Sequence, residues 1–150
     1  QMPEKFDMSY IGEDGEKHRP VMVHRTVFGS IERFIGILTE HFGGAFPTWM
    51  APVQAMIIPI TSDHAAYADE LAAQLKADGV RVEVDHRSEK MGYKIREATV
   101  QKIPYMLVVG GKEAESGTVS LRSYKNGDEG VKDFAEFRAA LNEEIAERRM

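Results

Sequence analysis

From Val53 onward, short apolar runs alternate with stretches of helical period, and this pattern constrains the fold more than anything else in the chain. VQAMIIPI is apolar on both sides of any strand it forms, so it must be covered on both faces. DHAAYADELAAQLKADG carries Ala68, Leu71, Ala72 and Leu75 on one helical face, with Gly79 at its end. VRVEVDH reads as a strand, SEKMGYKIREATVQK as a helix and PYMLVVG as a second buried strand. TVSLRSYK alternates as a half-exposed strand does and runs into KNGDEG, a turn. DFAEFRAALNEEIAERRM closes the series with Phe134, Phe137, Leu141 and Ile145 on one side. The order β-α-β-α-β-β-α predicts an α/β unit, its largely parallel sheet covered by helices through right-handed crossovers.

The segment before it follows a different plan. FDMSYI and PVMVHRTVFG read as two strands joined by the turn GEDGEKH, followed by a helix whose stripe is Ile31, Phe34, Ile35, Leu38 and Phe42. Ser30 suits its N-cap and Gly43-Gly44 its end. Two strands and one helix bury little apolar surface by themselves, so residues 1–48 are expected to be the remnant of a larger antiparallel sheet domain. FPTWMAP, with Pro47 and Pro52 on either side of Trp49, is read as the hinge, and 49–150 as a complete domain.

Composition excludes several kinds of chemistry. There is no cysteine, so disulfides, thiolate zinc sites and thiol catalysis are out. No apolar run approaches the ~20 residues of a membrane helix, and QMPEKFDMSY has no secretory pattern, so the expected location is cytoplasmic. The formal charge of −5 speaks against a general nucleic-acid binder. The charge is uneven, however: residues 86–102 hold five cations against two acids, net +3, leaving −8 for the remainder of a chain that totals −5. One basic segment on an acidic body suits a local, selective contact.

Ligands of open α/β sheets sit at the carboxyl ends of the strands, here Ile60-Thr61, Asp85 to Lys90 and Gly110 to Glu113. Ser88, Glu113 and Arg122 have the chemistry to read base edges, and the lysines of DHRSEKMGYKIRE that to meet phosphates. A solvated, salt-bridged helix face explains the same spacing. HRTVFGSIERF places Arg33 one turn into a helix that opens directly from a strand, where a phosphate or a base can approach. His24 falls mid-strand, a position more often filled by a hydrogen-bonded histidine than by a metal ligand. Neither a Ser/His/Asp set, nor a carboxylate pair, nor a phosphate-binding loop is recognisable.

At these residues the sequence becomes specific. The run from Tyr10 to Gln54, YIGEDGEKHRPVMVHRTVFGSIERFIGILTEHFGGAFPTWMAPVQ, resembles the third signature motif of class II aminoacyl-tRNA synthetases in its threonyl form. DHRSEKMGYKIRE, PYMLVVGGKE and VSLRSYK resemble the anticodon-binding domain shared by the threonyl, prolyl, histidyl and glycyl enzymes. The resemblance implies a mostly parallel, five-stranded-type mixed sheet flanked by three helices, preceded by a strand-strand-helix remnant of the catalytic antiparallel sheet. It further implies that Ile60, Ser88, Arg96, Glu113 and Arg122 contact anticodon bases, with Ser88 departing from the asparagine often found there. Arg33 matches the arginine that stacks on the adenine of ATP, and His24 one of three protein ligands of a threonine-recognising zinc ion. The complete enzyme would use ATP with Mg and Zn, act as a homodimer and take threonine tRNA. This chain, with a single catalytic motif, is expected to bind the anticodon stem-loop without holding a cofactor tightly or catalysing aminoacylation. The alternative is a non-catalytic accessory or adaptor protein built on the same domain; a flavodoxin-like binder fits less well, because ITSDH lacks a phosphate-binding loop.

Overall fold

A computed structural model describes residues 2–150, which fall into two compact units, Gln1–Gly36 and Ile37–Met150. The N-terminal unit holds a short helix α1 (Met2–Lys5) and a two-residue antiparallel ladder between β1 (Tyr10–Ile11) and β2 (Lys17–His18). Arg19 ties it together, its guanidinium donating to the Pro3 carbonyl at 2.9 Å and to Asp7 Oδ1 at 3.0 Å.

The strand expected over PVMVHRTVFG does not form: residues 21–28 have no regular structure, and Val21, Val23 and Val27 are 90%, 80% and 79% exposed. β-branched residues favour strands because they pack on a pleated, half-buried surface, and among the described residues none pairs with this segment. The first expected strand likewise shrinks from FDMSYI to Tyr10–Ile11 and pairs with Lys17–His18 instead. Helix α2 (Ile31–His41) forms as its stripe predicts, with Ser30 Oγ accepting from the Arg33 amide at 3.4 Å. Gly43 and Gly44 then end it at φ +56° and +78°, a region that favours glycine.

The second unit carries the sheet. Its strands are β3 (Ala55–Pro59), β4 (Val82–Val84), β5 (Tyr105–Val109), β6 (Thr118–Ser123) and β7 (Gly127–Asp133), in the order β4-β3-β5-β6-β7. β4, β3 and β5 are mutually parallel, and β6 and β7 continue antiparallel, so the sheet is mixed. Helices α3 (Ala65–Ala77), α4 (Met91–Val100) and α6 (Phe134–Glu147) flank it, and a one-turn-and-a-half helix α5 (Gly111–Ser116) follows β5.

Side-chain alternation divides the core in two. Ala55, Ile57, Leu107, Val109, Val119 and Leu121 meet α3 and α6 on one face. Met56, Ile58, Met106 and Val108 meet Ala98 of α4 on the other. β3 is buried at all five positions, which is why its sequence is an unbroken apolar run rather than an alternating one.

The tryptophan hinge is fastened to this second unit. Gln54, 1% exposed, donates to the Thr48 carbonyl at 2.9 Å and accepts from the Arg81 amide at 2.9 Å. The Arg81 side chain donates to the carbonyls of Ala51 and Trp49, each at 2.9 Å. The compact units consequently divide between Gly36 and Ile37, inside α2, ahead of the hinge.

Candidate nucleic-acid interface

Parallel strands put their carboxyl ends on one side; one crossover leads from β3 through α3 to β4, and the next from β4 through α4, on the opposite face, back past β3 to β5. Ligands of open α/β sheets bind in a crevice beyond the strand tips. Here it is a cleft of about 560 Å³ lined by Ile60, Thr61 and Ser62 after β3, by residues 86–90 after β4, and by Lys94. Ile60 and Ser88 are thus brought to one cleft, as the strand ends predict. Ile60 is 45% exposed there, although its amide is held by the Val109 carbonyl at 2.9 Å.

The rim after β4 is locked by a carboxylate. Asp85, 8% exposed, accepts from Arg87 Nε at 2.9 Å, Arg87 Nη2 at 2.7 Å and the Arg87 amide at 3.1 Å. The side-chain hydrogen bond to Arg87 is the largest of the causes that hold the Asp85 carboxyl below the usual range, against the opposing effect of burial. The same bond raises the Arg87 guanidinium. The guanidinium also lies 5.8 Å from the centre of the Tyr93 ring. His86 is 3.0 Å from Asp69, so Arg87 and the histidine before it both have intramolecular partners.

Lys94 departs furthest from its sequence reading. It belongs to the basic segment, yet it is 4% exposed, and its ammonium donates to the carbonyl of Asp85 at 2.9 Å and more loosely to that of Pro59 at 3.4 Å. Its register in α4, four residues before buried Ala98, is the signal that places it on the inward face.

Glu113 lies in the first turn of α5, with its Oε2 accepting from the Gly110 amide at 3.0 Å. A Cβ on Gly110 would come within 2.8 Å of Ile60 Cδ1 and 3.0 Å of Glu113 Oε2, so Glu113 and Ile60 crowd the same glycine. A side chain at this position would push the ends of Ile60 and Glu113 aside.

Arg96 and Arg122 do not line the cleft. Arg122 sits opposite Met106 in the β5–β6 register, and residues directly opposite share a face, so it points to the α4 side. It is half-buried and paired with Asp128 at 3.0 Å. Arg96 is exposed on α4, on the same side of the sheet.

Within the N-terminal unit, Arg33 is exposed on the first turn of α2, and its guanidinium has no ion-pair partner among the described residues. His24 is exposed, 3.1 Å from Met22 Sδ, in a segment that is not a strand. Among the described residues no three His, Cys, Asp or Glu side chains gather where a metal ion could sit. One imidazole does not make a zinc centre, so the residues present do not fit the ion by themselves.

A profile of the anticodon binding domain matches residues 54–144, which is most of the sheet unit. The chain belongs to the anticodon-binding domain family. Its similarity to known proteins runs further than that domain. It is 62% identical over 148 residues to the threonine–tRNA ligase of Syntrophomonas wolfei, covering 99% of this chain and 23% of that protein. The threonine–tRNA ligase of Clostridium tetani is 60% identical over the same share of both. The chain therefore spans about a quarter of the length of the curated relatives it matches. Among solved structures it is similar to the RNA binding domain of threonyl-tRNA synthetase from Cryptosporidium parvum, with 30% identity and a TM-score of 0.71 over 95% of this chain and 36% of that one.

In this anticodon-binding domain, sequence reasoning missed the Asp85–Arg87 latch, the burial of Lys94 and the closeness of Ile60 to Glu113. The first had a signal, since an Asp and an Arg two residues apart at a strand tip form a local charge-assisted pair. The last had none, because it depends on register between β3 and β5.

Proposed function

We propose that this chain reads the anticodon loop of threonine tRNA as part of a threonine–tRNA ligase, the cytoplasmic enzyme that attaches threonine to its tRNA at the expense of ATP. The observation that carries the reading is the membership of residues 54–144 in the anticodon-binding domain family, joined to similarity with threonine–tRNA ligases over 99% of the chain. In this reading residues 49–150 are the RNA-reading domain and residues 1–48 the end of the catalytic domain, with Arg33 offered to the adenine of ATP. The whole enzyme is a homodimer. His24 would contribute one donor to a zinc ion, the others coming from outside these 150 residues.

The site chemistry suits single-stranded bases. Glu113 accepts hydrogen bonds only and reads a base edge that donates; Ser88 both donates and accepts. Ile60 offers an exposed apolar face to a base at the cleft mouth, and Arg96 and Arg122 supply forked donors on the α4 side. The acidic remainder of the chain keeps sequence-blind binding weak, so affinity depends on these contacts.

Equilibrium titration with a fluorescent anticodon stem-loop tests the proposal. Measurable binding is expected, weakened by about 1–3 kcal/mol in each of Arg96→Ala and Arg122→Ala. Equal affinity for a stem-loop of unrelated anticodon would refute base reading.

A further inference from the structure

Resting on that reading, we infer that Lys94 is the positioning residue of the cleft: its buried ammonium ties the tips of β3 and β4 together and so sets the separation at which Ile60 and Ser88 meet a base. Lys94 springs from α4, which follows β4 and packs against β3, and reaches the Pro59 carbonyl on one side and the Asp85 carbonyl on the other. Pro59 immediately precedes Ile60, and Asp85 opens the loop that presents Ser88. At 4% exposure the ammonium is nearly out of solvent, where a polar group is tolerated only if hydrogen-bonded.

The charge balance supports this role. The carboxylate nearest the strand tip, Asp85, is already held on both oxygens by Arg87, so Lys94 is left to carbonyl oxygens. A buried cation without a carboxylate of its own is costly to keep, and a carbonyl bridge across two strands needs a donor with more than one N–H. Lysine has three and no acceptor, which suits two carbonyls within reach of one ammonium. With Arg87 latched to Asp85 and Lys94 bridging behind it, the rim 86–90 is fixed from both ends rather than left as a mobile loop. Base reading requires such fixed geometry, since hydrogen-bond discrimination falls steeply with misplacement.

The test compares the wild-type chain with Lys94→Met and Lys94→Arg in titrations against the threonine anticodon stem-loop and the same loop with one anticodon base exchanged. Lys94→Met is expected to lower the ratio of the two affinities about tenfold while leaving binding to the exchanged loop, and its salt dependence, unchanged. Lys94→Arg, which keeps multiple donors, is expected to recover part of the ratio. An unchanged ratio in Lys94→Met overturns the inference. So does an equal loss for both loops with the salt slope reduced by about 0.7, which would make Lys94 a phosphate contact. Should neither variant fold, the wild-type protein decides: Lys94 ammonium protons protected from exchange and coupled to the carbonyls of Pro59 and Asp85 support the bridge, and a freely exchanging ammonium overturns it. Failure of the wild-type chain to distinguish the two loops instead brings down the base-reading proposal on which this rests.

Discussion

The two units of this chain contain similar sequence signals with opposite structural outcomes. AMIIP in the second unit and VMVHRTV in the first are both rich in apolar and β-branched residues. The former is a strand buried at every position; the latter is irregular, with its valines at 79–90% exposure. The difference lies in what each segment has to pair with. β3 has hydrogen-bonded neighbours on both sides and helices on both faces, whereas residues 21–28 have neither among the described residues. Strand propensity is thus a statement about an available pleated surface, and it becomes structure only where that surface exists.

The sharpest way to break this comparison is to cut apolar volume from each unit. Leu107, fully buried between α3 and α6, should cost about 2–5 kcal/mol when replaced by alanine. Val23→Ala, at 80% exposure, should stay within about 0.5 kcal/mol. Urea unfolding measures both, and similar losses would show that the first unit has a core of its own. A smaller effect sharpens where the second unit begins. Gln54→Ala leaves the Thr48 carbonyl and the Arg81 amide without their partner and should cost about 1–3 kcal/mol. A neutral result would mean that the tryptophan hinge is not fastened to the sheet.

The smallest effect concerns acid. Asp78, at the end of α3, takes Arg138 Nη2 at 2.6 Å and Asn142 at 2.8 Å. The bond from Arg138, then that from Asn142, lowers its carboxyl from 3.8 to about 2. A carboxyl whose folded value is depressed contributes stability that is complete above its unfolded value and is lost as pH falls through the folded one. The window therefore lies between about pH 4 and pH 2, and the group is solvent-exposed, so the effect is modest. Urea midpoints should fall less steeply across that window in Arg138→Met than in the wild type. Parallel curves would remove the α3–α6 link as a contributor.

Much of the sheet unit was legible in the sequence, since its helices have period 3.6 and its inner strands are apolar runs. What escaped reading did so for identifiable reasons. β7, GDEGVKD, has one large apolar residue, Val131, and that is 62% exposed; as an edge strand it is held by backbone pairing to β6, and its side chains carry no periodic signal. KNGDEG accordingly read as a turn, whereas the strand already starts at Gly127. α5 is six residues, GKEAES, with one apolar side chain and too short for a stripe to show. The candidate site was legible as far as strand order carries it: Ile60 and Ser88 share the cleft. Arg96 and Arg122 share only a face of the sheet, because the α4 phase and the β5–β6 register that place them are tertiary facts.

Amide chemical-shift mapping during titration with the threonine anticodon stem-loop tests the account most directly. Perturbations are predicted around Ile60, Ser88, Glu113 and the α4 side of β6, with residues 2–30 left unmoved, and they should fade when the anticodon bases are exchanged. Shifts concentrated in residues 2–30, or an identical pattern with the exchanged loop, would contradict it.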